Sequence, residues 1–154
     1  MRIYADTSFL VGYAVWNDTN AQAATAFYEA KQDETWWWSP WHRVEVFNSI
    51  RQLTRLRQAK RALLVEEAKR VIRNLEEDVR CRYFEHIEAD WRDVLRTSHE
   101  ISLANAFVRE CPATDLLHVA YAIEVGTDLF VTFDASQYEL AVREGLNAVV
   151  PKLS

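Results

Sequence analysis

The stretch Leu129-Phe130-Val131-Thr132-Phe133-Asp134 decides the fold of this chain. Its first five residues are apolar, aromatic or β-branched, and a short run of this kind predicts a strand that is buried on both faces. Strands of this kind belong to parallel sheets, which are covered by helices on both sides. The amphipathic patterns at residues 114–125 and 136–144 are therefore expected to be helices that pack on this sheet.

Strand and helix patterns alternate along the rest of the chain. Besides 129–133, strands are predicted at residues 3–5, 35–38, 82–87 and 148–150. Further helices are predicted at residues 20–32, from Pro40 onward, at about 60–77, and from Asp90 to about residue 110. This alternation favours an α/β fold, namely a three-layer α/β/α sandwich with a central, mostly parallel five-stranded sheet.

Length and composition are typical of one globular domain. The chain has 154 residues, of which 49% are hydrophobic, and it contains only 3 glycines and 3 prolines. We therefore expect residues 1–154 to form a single domain. No apolar run is long enough to cross a membrane, and the N-terminus has no signal-peptide pattern. The two cysteines, Cys81 and Cys111, are far apart, so we expect reduced thiols in a cytoplasmic protein.

Charge is unevenly distributed along the sequence. The net charge is −5, yet residues 51–82 contain ten Lys and Arg against five acids. That segment carries +5, and the remainder of the chain carries −10. A basic segment on an acidic body is able to hold phosphates while acids elsewhere bind a cation. Solvated helix faces account for the same pattern equally well, so charge alone leaves RNA contact open.

Four acidic residues lie where predicted strands end or where helices begin. Asp6 and Asp134 directly follow strands, while Glu45 and Asp115 lie in the first two turns of helices. The functional crevice of an open α/β sheet lies beyond the carboxyl ends of its strands, so we expect these carboxylates to converge there. Such a cluster requires neutralisation, and oxygen ligands favour Mg²⁺ or Mn²⁺. One or two such ions activate a water against a phosphodiester.

Each acid also has a purely structural interpretation. Asp6 is a candidate cap for a helix that starts at Phe9, Asp115 a partner for a helix dipole, and Asp134 an ordinary turn residue. Glu45 differs, because it lies on a mostly apolar helix, where a carboxylate needs a partner. The structural interpretations are weaker together than singly, since the same placement recurs four times.

Four motifs, in this order, resemble those of PIN-domain ribonucleases, and within that family those of VapC-type toxins from type II toxin–antitoxin pairs. They are Tyr4-Ala5-Asp6-Thr7-Ser8-Phe9-Leu10, Val44-Glu45-Val46-Phe47-Asn48, Thr114-Asp115-Leu116-Leu117-His118-Val119-Ala120 and Leu129-Phe130-Val131-Thr132-Phe133-Asp134. The trailing Glu144-Gly145-Leu146 also fits. Any one motif is common, whereas the ordered set spans essentially the whole chain.

The resemblance implies a metal-dependent endoribonuclease that hydrolyses RNA phosphodiesters with a metal-activated water. Asp6 and Asp115 would then be the principal ligands of Mg²⁺ or Mn²⁺. Glu45 and Asp134 would complete the acidic site, through water or a second ion. Three hydroxyl residues are expected to hydrogen-bond to these ligands and so orient them: Thr7, Ser8 and Thr132.

Partners follow from the same resemblance. It implies a homodimer and a small DNA-binding antitoxin that wraps the toxin and inserts a basic side chain into the acidic pocket. The helices around residues 41–75 combine an apolar stripe with a basic flank, so we expect them to be the docking surface. Two alternatives share the fold: a housekeeping PIN nuclease in RNA maturation, and an inactive RNA- or protein-binding module.

Other families with an aspartate after the first strand fit less well. A haloacid-dehalogenase-type phosphatase needs a second aspartate where Ser8 stands. A receiver domain needs adjacent acids near its N-terminus and a lysine late in the chain. Here the late strand ends in Asp134, and the only later lysine is Lys152.

Two features lie outside the acidic pattern. The run Trp36-Trp37-Trp38 is heavier than the usual second strand of the family, and strand alternation places its middle indole opposite the other two. A place in the core or in a protein interface is favoured over base stacking. His118 lies three residues after Asp115 and shares its helix face. Its favoured interpretation is a hydrogen-bonded packing histidine.

Overall fold

Five short strands form the central sheet of the computed structural model, which describes residues 1–55 and 62–153. They are β1 Arg2–Ala5, β2 Thr35–Trp38, β3 Glu85–His86, β4 Leu129–Val131 and β5 Ala148–Val149. Their order is β3-β2-β1-β4-β5, and each neighbouring pair is parallel. The predicted five-stranded α/β sheet is confirmed, and within the described residues it is parallel throughout.

Helices cover both faces of this sheet. In the described residues they are α1 Thr7–Ala14, α2 Ala21–Glu29, α3 Pro40–Leu53, α4 Val65–Arg80, α5 Trp91–Asn105, α6 Ala113–Glu124 and α7 Ala135–Arg143. The first four share one hydrophobic core with Ile3 and Ala5 of β1, and the last three share another with Tyr4. Successive side chains of β1 therefore enter opposite cores, which confirms the three-layer α/β/α sandwich.

Several element boundaries differ from the predictions. α5 ends at Asn105 instead of near residue 110, because the side-chain amide of Asn105 donates hydrogen bonds to the Ile101 carbonyl and to the Glu144 carboxylate. The third strand is confined to two residues, because Arg82 has a φ of 64°, outside the extended region. α4 begins at Val65, whereas residues 60 and 61 of the predicted helix lie outside the described residues.

The three tryptophans of β2 are core residues. Trp36 and Trp38 are 1% and 0% exposed in the core under α1–α4, where Trp36 stacks on Phe9 at 5.3 Å. Trp37 is 9% exposed on the opposite face, under the Arg2 guanidinium. The core interpretation is confirmed, so these indoles are not free to stack on bases.

α3 presents a slightly different face to the core than predicted. On this helix the apolar stripe predicted from the sequence consists of Trp41, Val44, Phe47, Ile50 and Leu53. Phe47 and Ile50 are buried, but Val44 is 61% exposed, which corrects that part of the prediction. The helix instead turns His42 and Val46 inward. No helix of residues 1–55 and 62–153 has the length and hydropathy of a membrane span.

Candidate active site

Asp6 lies where β1 ends and is only 4% exposed. Its Oδ1 accepts hydrogen bonds from the Ser8 hydroxyl at 2.7 Å and the Phe9 N–H at 3.0 Å. Its Oδ2 accepts one from the Thr132 hydroxyl at 2.6 Å. Burial raises the pKa of Asp6, against the opposing effects of His118 and of these hydrogen bonds. Asp6 therefore caps α1, which begins at Thr7 rather than Phe9, and it is also held rigidly at the rim of the sheet.

Two hydroxyls connect the carboxyl ends of β1 and β4. Ser8 Oγ and Thr132 Oγ1 lie 3.2 Å apart. Ser8 accepts a hydrogen bond from the Phe133 N–H at 2.8 Å, and Thr132 accepts one from the Asp134 N–H at 2.9 Å. The Phe133 N–H is thus used by a side chain, which explains why β4 ends at Val131 although the sequence predicted a strand through Phe133.

Glu45 reaches the same region from α3, with a side chain that is 20% exposed. Its Oε2 accepts hydrogen bonds from the Thr7 hydroxyl and from Nε2 of His118. Burial acts to raise the pKa of Glu45, but the hydrogen bond and charge of His118, together with Thr7, outweigh it and lower the pKa. The partner that a carboxylate on an apolar helix needs is therefore a histidine 73 residues away in sequence.

Asp115 lies in the first turn of α6 and is half-buried. Its pKa is raised to about 6, first by burial and then by the negative charge of Asp134, with smaller contributions from Asp6 and Glu45. His118 opposes this rise. Because three other carboxyls act on Asp115, the four predicted acids occupy one region of the structure.

Asp134 is the exposed member of this group and forms the N-cap of α7. Its Oδ1 accepts hydrogen bonds from the N–H groups of Ser136 at 2.7 Å and Gln137 at 3.0 Å. The Gln137 side chain in turn donates to the Asp115 carbonyl at 3.2 Å. This hydrogen bond joins the first turns of α6 and α7 and so fixes the position of Asp115 relative to Asp134.

These carboxylates suit a hydrated, hard cation better than a tightly enclosed one. Within residues 1–55 and 62–153, no three Asp, Glu, His or Cys side chains form a ready-made metal cage. Mg²⁺ keeps several of its waters and needs only one or two protein carboxylates. The pKa of Asp115 is raised first by burial and then by the neighbouring carboxyls, and a cation at this position stabilises the charged form against both effects. Asp6 and Asp115 therefore fit a hydrated Mg²⁺ or Mn²⁺.

Sequence reasoning missed His42 and the contact of His118 with Glu45. His118 is 2% exposed and His42 is fully buried, and their rings lie 5.5 Å apart beside the Glu45 carboxylate and the end of β1. The only signal in the sequence was the spacing of His118 from Asp115, which placed it on the right helix face. Its interpretation as a hydrogen-bonded, buried histidine agrees with the structure.

Comparison with known proteins adds the family. The PIN-domain sequence profile matches residues 3–143. The fold is similar to a chain of VapBC-1 from nontypeable Haemophilus influenzae, with 12% identity, a TM-score of 0.64, and coverage of 97% of this chain and 98% of that one. No curated protein sequence gave a significant match.

Two further solved structures show the same fold. For FitAB bound to an IR36 DNA fragment, the identity is 19% and the TM-score 0.63, over 99% of this chain and 97% of that one. For FitAcB from Neisseria gonorrhoeae, the identity is 15% and the TM-score 0.64, over 95% of each chain. At these identities the likeness concerns the fold. The profile match covers nearly the whole sequence, and the chain therefore belongs to the PIN-domain family, whose members are generally nucleases.

Proposed function

We propose that this PIN domain, residues 1–154, is a Mg²⁺- or Mn²⁺-dependent endoribonuclease and the toxin of a type II toxin–antitoxin pair. The observation that carries the proposal is the gathering of four carboxyls where β1 and β4 end and α6 and α7 begin, with Asp115 near enough to the other three for them to raise its pKa further than burial alone. Helix capping accounts for the positions of Asp6 and Asp134, but it gives no reason to place the half-buried Asp115 beside them, because mutual repulsion destabilises the fold. A cation removes that repulsion and turns the cluster into a hydrolytic site.

Asp6 and Asp115 are the proposed principal ligands, with Glu45 and Asp134 completing the site. A divalent cation bound there supplies an activated water and stabilises charge on the phosphodiester oxygens. Hydroxyl hydrogen bonds keep the ligands in place. Ser8 and Thr132 donate to Asp6, and Thr7 donates to Glu45. Fixed carboxylates hold a ligand geometry without reorganising during the reaction, which favours catalysis.

Cleavage of tRNA, ribosomal RNA and messenger RNA in Mg²⁺, in Mn²⁺ and in EDTA tests the nuclease proposal. We expect wild-type cleavage to stop in EDTA, and Asp6→Asn and Asp115→Asn each to lose about a hundredfold in rate, roughly 3 kcal/mol of transition-state stabilisation. Asparagine is chosen because it preserves the N-cap at position 6. Asp33→Asn, in the exposed turn before β2, is the matched control. Activity that survives chelation and both substitutions overturns the mechanism.

A groove between α3 and α4 supports the antitoxin partner. It has a volume of about 380 Å³ and is lined by Arg51, Thr54, Val65, Ala68, Lys69, Ile72 and Arg73. A lining that combines apolar and basic side chains suits an amphipathic segment that carries apolar and acidic side chains. The groove lies within the docking surface predicted at residues 41–75, of which residues 56–61 lie outside the described residues. Similarity to chains of VapBC-1 and FitAB adds support.

Expression in growing cells separates the toxin from the alternatives. A toxin is expected to arrest growth, with relief on co-expression of the neighbouring gene product and with no arrest by Asp115→Asn. A housekeeping nuclease for RNA maturation leaves growth unaffected, and an inactive binding module cleaves no RNA. The homodimer and the cytoplasmic location remain predictions that size-exclusion chromatography and cell fractionation test.

A further inference from the structure

A directed chain of buried hydrogen bonds runs from the sheet to Glu45 through Tyr4 and His118. Nδ1 of His118 lies 3.1 Å from the Tyr4 hydroxyl, and Nε2 contacts Oε2 of Glu45. The Tyr4 hydroxyl lies 3.4 Å from the Ser39 hydroxyl, which is the next available donor. Because the ionised Glu45 carboxylate only accepts, Nε2 of His118 carries the proton that is donated to it, and Nδ1 of the neutral ring then accepts from the Tyr4 hydroxyl.

The imidazole of His118 is held from several directions. Tyr4 is fully buried in β1 and stacks on Phe130 at 5.9 Å, so its hydroxyl is a fixed reference point on the sheet. The ring of His42 lies 5.5 Å from that of His118, at an angle of 32°. Trp41 approaches edge-on at 6.3 Å. His118 is therefore confined to one orientation, toward α3.

Two donors act on one oxygen of Glu45 and leave the other unused. The Thr7 hydroxyl and Nε2 of His118 both bond to Oε2, and these donors lie 3.1 Å from each other. Within the described residues, Oε1 of Glu45 has no hydrogen bond. A carboxylate pinned at one oxygen presents the other in a defined direction, as a metal ligand or a base for water requires.

We propose that His118 is a positioning residue, which orients Glu45 toward the cation and is itself oriented by Tyr4. This inference rests on the proposed function, because it assigns a role within the same metal site. It differs from a packing role in that it depends on the donor at Nε2 rather than on the volume of the ring.

Mn²⁺ titration followed by electron paramagnetic resonance of the free ion tests this role without requiring activity. The variants are His118→Gln, whose amide is able to place a donor near the Nε2 position, and His118→Leu, which fills the space with no donor. We expect His118→Leu to weaken Mn²⁺ binding by about 10- to 100-fold and His118→Gln by only a few-fold. Thermal unfolding and circular dichroism establish that each variant is folded.

A pair of tyrosine variants tests the other end of the chain. Tyr4→Phe removes the hydroxyl at Nδ1 and is expected to weaken Mn²⁺ binding several-fold. Tyr121→Phe is the matched control, because Tyr121 stacks 6.0 Å from Tyr4 and its buried hydroxyl bonds instead to the Ile87 carbonyl and the Ala89 N–H. Tyr121→Phe is expected to change stability without changing Mn²⁺ affinity.

The outcomes separate this inference from the proposed function. If His118→Leu binds Mn²⁺ as tightly as wild type, or if Gln and Leu weaken binding equally, the positioning role is overturned. The nuclease proposal still stands in that case, provided that wild-type protein from the same preparations binds Mn²⁺ and cleaves RNA. If wild type binds no Mn²⁺, both proposals are overturned.

Discussion

The Asp115 carboxyl lies in surroundings that favour its neutral form. Burial and the charge of Asp134 raise its pKa to about 6, whereas the ordinary value is 3.8. The folded protein therefore binds more protons than the unfolded chain between about pH 4 and 6. Stability conferred at low pH is lost as the pH rises through this window. The charge that would bind a cation thus destabilises the metal-free fold.

Asp115→Asn is expected to raise the free energy of unfolding of the metal-free protein at pH 8. We expect a gain of about 1–2 kcal/mol, less than the full pKa shift implies, because Asp115 is only half-buried and solvent screens it. The gain should shrink toward pH 4.5, where the wild-type carboxyl is mostly protonated in the folded state. Urea denaturation in EDTA at both pH values measures it. A gain of equal size at the two pH values contradicts this explanation.

Thr132 is expected to position Asp6 through its hydroxyl. Thr132→Val keeps the volume but leaves Oδ2 of Asp6 and the Asp134 N–H without this partner. We expect a loss of about 1–3 kcal/mol in stability and a clear fall in the RNA cleavage rate at saturating Mg²⁺. Thr97→Val is the control, because it removes a hydroxyl that donates to Glu124, between α5 and α6. Equal effects of both variants on cleavage speak against a positioning role for Thr132.

At the residue scale, the sequence identified the acids but not their partners. Asp6 caps a helix, as its structural interpretation predicted, whereas Asp134 was interpreted as a turn residue and proves to be the N-cap of α7; both also act on the charge of Asp115. The two interpretations are compatible, because a helix N-terminus at a strand end lies on the rim where carboxylates meet. The contact of His118 with Glu45 was not predictable from spacing, since it depends on how α6 and α3 approach each other.

The first turn of α3 is anchored to β1 by one histidine. Nδ1 of His42 accepts a hydrogen bond from the Ser39 N–H at 3.0 Å, and Nε2 donates to the Ala5 carbonyl at 2.7 Å. The Ser39 hydroxyl accepts from the His42 N–H, which completes a capping box. Glu45 lies one turn further along, so this anchor sets its distance from the end of β1.

His42→Gln is expected to show a pH-dependent loss of stability. Burial, reinforced by His118, lowers the pKa of His42 well below 6.5, so the folded ring is neutral. The unfolded chain binds a proton there below about pH 6.5, and the stability contributed by the neutral ring is lost as the pH falls. We therefore expect a deficit of about 2 kcal/mol in the variant at pH 7.5, which narrows toward pH 5.5.

Denaturation of wild type, His42→Gln and His99→Gln at pH 7.5 and 5.5 measures this effect. His99 is exposed on α5, so its variant controls for the removal of any titrating histidine. If the stability deficit of His42→Gln relative to wild type is larger at pH 5.5 than at pH 7.5, His42 is not a buried, neutral histidine.

At the element scale, two helix starts that carry a local cap were predictable. Ser39-Pro40 and Asp90 predicted the beginnings of α3 and α5, and both predictions are confirmed. Capping is local, so the signal lies within a few residues of sequence. The ends of α5 and β4 depend on the Asn105–Glu144 and Phe133–Ser8 hydrogen bonds, which join distant parts of the chain.

At the scale of the whole molecule, the acidic site and the basic groove lie at opposite ends of α3. Glu45 is near the start of the helix and Arg51 lines the groove near its end. Six residues of α-helix separate them, roughly 9 Å along the axis. These two residues lie on faces of α3 about 120° apart, so an antitoxin segment docked in the groove must pass from one face of the helix to another to bring a basic side chain to the acidic site.

Val65→Glu is expected to separate antitoxin binding from RNA cleavage. Val65 lines the groove and is 57% exposed, so glutamate there removes apolar contact area and introduces repulsion toward an acidic partner. We expect co-purification with the neighbouring gene product to fall at least tenfold, while Mg²⁺-dependent cleavage of RNA remains near wild type. Val142 is an exposed valine of α7, and Val142→Glu is the matched control, which should change neither co-purification nor cleavage. If the neighbouring gene product still co-purifies fully with Val65→Glu, the antitoxin docks elsewhere. If Val65→Glu loses RNA cleavage, the groove and the acidic site are not independent.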